Sequence, residues 1–382
     1  MTWRGWLDGE LAQIRARDQW RGLRTFDAAG PEGRLGPDGG PVVSFASNDY
    51  LGLSAHPDVV AAARQALERW GTGSSSSRLV VGTRPVHVEL EAALAEWKGT
   101  EAALLFPTGY AANIGVLSAL QGADVTIFSD QLNHASIVDG CRLSRSEVVV
   151  YPHRDAGALG KLLPGTTGRA AVVSETVFSM DGDVAPVARL MDLCAQHHAL
   201  LILDEAHAVL GPHVGGNGVG LDIPIDLDLI LVGTLSKALG SLGGFVAGSL
   251  RWVEWLVNRA RPFIFTTAPT PADSAAARAA LRIVQTGEGE ARLARLKAHI
   301  DTLRPGHNSP IIPIVVGSER HALDAARGLL DLGLLVPAIR PPTVPAGTSR
   351  LRIALSAAHT ADQVSHLSAV LDDLGLGSLV AP

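Results

Sequence analysis

The sequence has little cysteine: two residues, Cys141 and Cys194, in 382. Two thiols cannot build a disulfide framework or a multi-thiolate metal site, and both fit better as small core residues than as nucleophiles. Charge is scarce as well, at 18% of residues, with 38 Asp and Glu against 32 Lys and Arg. A formal net charge of −6 offers no basic surface for a phosphate backbone, which excludes nucleic-acid binding as the main business. No uninterrupted apolar run approaches the ~18 residues that would suggest a membrane helix. The opening MTWRGWLDGELAQIRARDQW has no apolar signal core, and Asp8, Glu10 and Asp18 speak against a transit peptide. The expected compartment is the reducing cytoplasm. Repeats of roughly 20–50 residues are missing too, and SSSS at 74–77 is the one low-complexity tract.

What is there is apolar and heavily punctuated. Hydrophobic residues make up 47%, too many for a disordered chain. The 41 glycines and 22 prolines follow no period, which excludes collagen and marks many tight turns. At roughly 100–200 residues per domain the length predicts two or three domains. Trp3 to about Phe26 is amphipathic, with Trp6, Leu7, Leu11 and Ile14 at helical spacing, and the following AAGPEGRLGPDGGP reads as turn and hairpin. Seven short apolar runs come next: AALLF (102–106), VTIF (125–128), VVVY (148–151), AAVVS (170–174), ALLILD (199–204), LDLILVG (227–233) and GFVAG (244–248). Helical patterns such as Ala111–Leu120 and Val187–His197 lie between several of them. Such alternation predicts an α/β fold with a mostly parallel sheet covered on both faces. After Pro271 a long helical segment leads to PIIPIVV (310–316), a helix over 319–332, LLVPAI (334–339), RLRIALS (350–356) and a last helix from 360. The expected organisation is an N-terminal helical arm and hairpin over 1–41, a large domain over 42–280 and a small C-terminal α+β domain over 281–382.

Several strings can carry chemistry. ILDEAH (202–207) brings Asp204 and His207 to the end of an apolar strand, where open α/β sheets place their ligands. As an NTPase motif it would need a GxxxxGK[ST] loop; the chain has none, and AGALGKLL at 156–163 has the wrong spacing. GTLSKALGSLGG (233–244) puts Lys237 just after another apolar strand, beside Thr234 and Ser236. Lone lysines are usually surface residues, but apolar flanks would desolvate this ammonium and lower its pKa, as a carbonyl-seeking amine requires. FPTGYAAN (106–113) is a strand end, a glycine and a helix start, whose free N–H groups suit a phosphate. NHAS (133–136) sets His134 at another strand-to-helix turn. A metal site is not expected: there is no HExxH, and the adjacent His197 and His198 point apart on a helix. Jointly these features suit pyridoxal phosphate, which needs a lysine for its aldehyde, an acid for its ring nitrogen and a cradle for its phosphate.

With those residues in place, the chain resembles the α-oxoamine synthase family of fold-type I pyridoxal-phosphate enzymes. The resemblance runs from about residue 20 to 375. It rests on FASNDYLGL (45–53), GTGSSSSRLVVGT (71–83), FPTGYAAN, NHASIVDG (133–140), ETVFSMDGDVAP (175–186), LDEAH, GTLSKALGSLGG and IRPPTVPAGTSRLRIALSAAH (339–359). It implies an aspartate-aminotransferase-like fold, with a mostly parallel seven-stranded sheet in the large domain. It also implies a decarboxylating acyltransferase. The last string points to the biotin-pathway member, which joins L-alanine to pimeloyl-CoA or a pimeloyl-carrier protein. Relatives that use glycine, serine or another acyl chain, and a non-catalytic subunit with a relic site, are the alternatives.

The resemblance implies roles residue by residue. Lys237 would take the cofactor aldehyde, Asp204 would pair with the ring nitrogen, and His134 would stack on the ring face. His207 and Ser179 would bond the ring hydroxyl. Gly109, Tyr110 and Thr234 would hold the phosphate, with Ser236 beside them. Thr266 or Thr267 would reach the phosphate of the other subunit, because the family's sites are shared across a homodimer. Arg352 would clamp the amino-acid carboxylate, while Arg21, Asn48 and Thr343 would contact substrate or product. One departure from the family's wording is AVLGPHVGGNGVG (208–220), bulkier at Val209–Leu210 than the usual small residues.

Overall fold

The computed structural model describes residues 2–37, 39–122, 124–211, 213–214, 220–221, 223–224 and 226–380. Residues 212 and 215–219 of the AVLGPHVGGNGVG segment therefore lie outside the described residues. Packing divides the chain into two units. One comprises the residues up to Tyr50, Met180–Gly182 and those from Ala294 onward; the other comprises Leu51–Ser179 and Asp183–Leu293. Among the described residues no helix is long and apolar enough to cross a membrane.

The second unit holds the large sheet. All seven apolar runs are strands: β1 Ala102–Phe106, β2 Val125–Asp130, β3 Glu147–Tyr151, β4 Arg169–Glu175, β5 Leu200–Asp204, β6 Leu229–Thr234 and β7 Gly244–Gly248. Their order across the sheet is β1-β7-β6-β5-β4-β2-β3. β7 is antiparallel to both neighbours, and every other pairing is parallel. β5 is buried along its whole length, which explains why LLILD shows no polar alternation. Helices α1 Gly109–Ser118, α2 Ala135–Ser144 and α3 Val187–Gln196 return the chain between strands. Val116 and Leu117 of α1 and Ile137 of α2 pack on Ile127, Val173, Ile202, Val232 and Val246 of the sheet, all within 1% of full burial. Each such side chain contributes about 1.5–3 kcal/mol. Cys141 and Cys194 are buried free thiols, pushed up by burial to about 11 and about 12.

In the first unit, helix Trp3–Ala16 is capped by the Thr2 hydroxyl and buries none of its residues in the chain. It is shorter than the amphipathic stretch suggests, and the chain leaves the helix at Arg17. Phe26–Asp27, Glu32–Leu35 and Pro41–Ser44 form the expected antiparallel hairpins. Ile311–Gly317 pairs antiparallel with Ser349–Ala354, which pairs with Ala338–Ile339. LLVPAI is thus split into Leu334–Leu335 and Ala338–Ile339, with Pro337 between them unable to donate to a ladder.

Candidate active site

The parallel strands deliver the candidate residues to one edge of the large sheet, the edge of their carboxyl ends. At the end of β5, Asp204 is 6% exposed. Its Oδ1 accepts from the Ala206 N–H at 2.9 Å and its Oδ2 from Asn113 Nδ2 at 2.7 Å, so both oxygens are fixed in direction. His207, also buried, places Nε2 2.7 Å from Nζ of Lys237. One of two basic nitrogens must accept in such a bond, so this pair holds a single proton between them. Lys237 sits just past β6 in a tight turn, where Gly240 N–H donates to the Lys237 carbonyl at 2.9 Å. Gly240 has φ +59°, and a Cβ there would lie 2.4 Å from Ser54 N, so the turn requires glycine.

β1 runs through Pro107 and Thr108 into α1. The Thr108 hydroxyl caps the helix by accepting from Ala111 N–H at 3.0 Å, which leaves the Gly109 and Tyr110 N–H groups outside the helix ladder. The helix start is pressed against the ends of β6 and β7. A Cβ on Gly109 would come within 3.3 Å of Thr234 Cβ, and one on Gly244 within 2.5 Å of Gly109 N. Thr234 Oγ1 donates to Gly243 O at 3.0 Å and lies 2.8 Å from Ser236 Oγ. Amide groups and hydroxyls thus converge at a helix N-terminus, the chemistry that suits a phosphate.

His134 is the N-cap of α2, its Nδ1 2.8 Å from Ser136 Oγ. Burial holds its imidazole below the ordinary histidine value, against the opposing charge of Asp204, so the ring is neutral at pH 7. Ser136 Oγ accepts from Asn113 Nδ2 at 2.9 Å. One asparagine thereby links His134, through Ser136, to Asp204. Ser179 lies in the turn after β4, 7% exposed, its N–H donating to Glu175 Oε2 at 3.1 Å. Thr266 is half-buried and Thr267 exposed; no hydrogen bond among the described residues ties either to this cluster.

Arg21, Asn48, Thr343 and Arg352 belong to the first unit. There Arg352, 5% exposed, donates from Nη1 and Nη2 to Asn48 Oδ1 at 3.3 and 3.2 Å, and Tyr50 OH donates to the same oxygen at 2.9 Å. Arg21 Nη2 donates to Pro341 O at 3.1 Å, beside the turn in which Thr343 N–H bonds to Arg340 O. Arg352 and Asn48 are therefore in contact, as are Arg21 and the turn that leads to Thr343.

Three residues carry the geometry without having been singled out in the sequence. Asn113 lies one helical turn past Gly109, on the same face, a spacing that was readable. Ser136 is two residues beyond His134 in NHAS. Glu175 opens ETVFSMDGDVAP as a strand-end acid, the same signal that marked Asp204. Among the described residues no group of three or more His, Cys, Asp or Glu could hold a metal ion. An amine, an imidazole, a buried carboxylate and a helix N-terminus with hydroxyls form a donor set that fits a phosphorylated aromatic aldehyde.

Residues 40–371 match the family model described as aminotransferase class I and II. The 8-amino-7-oxononanoate synthase of Anaeromyxobacter dehalogenans is 50% identical, over 97% of this chain and 96% of that one. The synthase of the same name from Geobacter sulfurreducens is 48% identical over 97% of each chain. A lysine-to-alanine variant of serine palmitoyltransferase from S. paucimobilis, solved with a bound pyridoxal phosphate–myriocin aldimine, has a TM-score of 0.90 at 31% identity, covering 100% of this chain and 99% of that one. A solved 8-amino-7-oxononanoate synthase from Francisella tularensis has a TM-score of 0.71 at 26% identity, covering 87% and 98%. With half its residues shared across nearly its whole length, the chain belongs to the aminotransferase class I and II family, in the 8-amino-7-oxononanoate synthase group.

Proposed function

We propose that this chain joins L-alanine to a pimeloyl thioester, carried on CoA or on a carrier protein, to give 8-amino-7-oxononanoate, CO2 and the free thiol. The observation that carries the reading is half-buried Lys237 beside buried His207, with buried Asp204 at the end of β5, in a chain half identical to synthases of that name. Pyridoxal phosphate, when bound, supplies an aldehyde for amine exchange and an electron sink for the carbanion at the alanine Cα. Lys237 Nζ is the amine that carries this group between turnovers and the base that takes the Cα proton. Its Nζ lies 2.7 Å from His207 Nε2, a neighbour that can exchange a proton with it. Asp204, its oxygens already aimed by Asn113 and Ala206, holds the proton on the ring nitrogen. His134 offers a neutral flat ring to fix the ring plane. His207 and Ser179 reach the ring hydroxyl, and Gly109, Tyr110 and Thr234 take the phosphate charge. Arg352, steered by Asn48, is the carboxylate clamp for alanine, with Arg21 and Thr343 for substrate or product.

The quaternary reading is a homodimer with shared active sites. Val80, Val81 and Phe265 are 74%, 65% and 69% exposed, and their segments meet where Arg78 lies over the Phe263 ring, 5.7 Å from its centroid. An apolar surface of this kind supports a partner there, with Thr266 or Thr267 reaching the second copy's phosphate. The cytoplasm is the compartment this reading favours. The fold likeness to serine palmitoyltransferase supports a second reading, with serine and a long acyl thioester. A thiol-release assay crossing alanine, glycine and serine with pimeloyl-, acetyl-, succinyl- and palmitoyl-CoA separates the two. Alanine with pimeloyl-CoA is expected to give the highest kcat/KM; a clear preference for another pair would move the assignment to that relative.

A further inference from the structure

Glu175 is the last residue of β4 and is 2% exposed. In the parallel pairing of β4 with β5 it sits opposite Asp204. Register-matched residues point to the same face, on strands about 4.8 Å apart, so the two carboxyl groups are neighbours. Two such groups removed from water cannot both ionise cheaply. Their partners differ in kind. Asp204 has a separate donor on each oxygen. The Glu175 carboxyl receives the backbone N–H groups of Ser179, at 3.1 Å on Oε2, and of His134. Its Oε1 is buried without a hydrogen-bond partner. The same residue's N–H donates to Asn133 Oδ1 at 3.0 Å, stitching the loop before α2 to the end of β4.

The groups that face this carboxyl come from three other elements: Asp204 from β5, Lys237 from the turn after β6 and His134 from the start of α2. Burial pushes the Glu175 carboxyl up and the Asp204 charge pushes it further; Lys237 and the two N–H groups pull back, leaving it at about 8. A second anion here would compete with Asp204 for the ring-nitrogen proton and would hold Lys237 as an ammonium.

We propose that Glu175 is a positioning residue that works as an uncharged carboxylic acid, anchoring the backbone of His134 and Ser179 and leaving Asp204 as the single negative charge beside the cofactor. This rests on the reading of Lys237 as the cofactor-bearing residue. The proposal separates charge from hydrogen bonding. Glutamine keeps an acceptor for both N–H groups without a titratable proton; alanine removes the acceptor.

The test uses the holoenzyme. An infrared difference spectrum of wild type minus Glu175→Gln should show a protonated-carboxyl C=O band at neutral pH that fades as pH rises through about 8. Over the same range the absorbance of the lysine-bound cofactor should shift in wild type and stay flat in the glutamine variant. Cofactor affinity, by fluorescence titration, should stay within about threefold for Glu175→Gln and fall by about tenfold or more for Glu175→Ala. Absence of the carboxyl band at neutral pH would overturn the proposal, as would a glutamine variant that loses affinity as far as alanine does. Should Glu175→Ala not fold, the band and the glutamine titration decide alone. An error in the Lys237 reading would look different: the wild-type protein would lack cofactor absorbance while the carboxyl band remained.

Discussion

Replacing Lys98 by methionine should destabilise the large-sheet unit by about 3–5 kcal/mol, well beyond the worth of an ordinary ion pair. Lys98 ends the helix Pro85–Lys98, and its Nζ lies 2.6 Å from Oε2 of Glu205, with the two side chains 4% and 2% exposed. Its ammonium also rests over the Trp97 ring, 4.1 Å from the centroid. A surface pair of this kind would contribute about 0–1 kcal/mol, because water would solvate either partner alone. Here both side chains are almost wholly withdrawn from solvent, so removing the cation takes the Lys98 charge away from a buried carboxylate one residue from Asp204. Methionine fills the lysine stem, which keeps the cavity contribution small and isolates the electrostatic one. The double variant Lys98→Met, Glu205→Gln removes both charges and should recover all but about 1–2 kcal/mol of the loss. Urea unfolding followed by tryptophan fluorescence, run on cofactor-free protein so that ligand linkage does not mask the difference, measures both. A single variant within about 1 kcal/mol of wild type, or a double variant no better than the single, would refute the reasoning.

The remaining expectations concern the site and its supports. Lys237→Ala should abolish both turnover and the absorbance of the lysine-bound cofactor; a purified variant that keeps either removes Lys237 from its role. Asp204→Asn should lower kcat by on the order of 10²-fold or more while leaving the unfolding midpoint close to wild type, and a loss of only a few-fold would contradict the ring-nitrogen role. Arg352→Ala should raise the alanine KM far more than it lowers kcat, so an unchanged KM takes the arginine out of the carboxylate site. His153 lies 2.8 Å from both Asp130 and Asp183. Burial pulls its imidazole down, but the two carboxylates outweigh this and carry it up to about 9. A raised folded value means the stabilisation is fully present below about 6.5 and lost as pH rises through about 9. Unfolding free energies of wild type should therefore fall over that window, and those of His153→Gln should be flat by comparison.

The sequence made the sheet legible because its central strands are buried on both faces. Runs such as LLIL and LILVG have no polar residue to obscure them, and each became a strand within a residue or two of its expected ends. The N-terminal region was harder. Trp6, Leu7, Leu11 and Ile14 have helical spacing, yet none of them is buried within the chain, so periodicity could not say where the helix stops. LLVPAI failed as a single strand for a local reason, Pro337, that outweighs its apolar composition.

The site divides along the same physical line. Lys237, Asp204, His207 and His134 are polar residues at the ends of apolar runs, and that contrast makes them visible in one dimension. Asn113 and Glu175 do their work through partners far away in sequence: Asp204 is 91 positions from Asn113, and Glu175 meets Asp204 only because β4 and β5 lie side by side in register. A helical asparagine and a strand-end glutamate are ordinary residues until the sheet order is known. Once it is, the bonds from Asn113 to both Ser136 and Asp204 show that His134, through Ser136, and Asp204 are set by one side chain. Motif spacing identifies the groups that do chemistry; strand order identifies those that aim them.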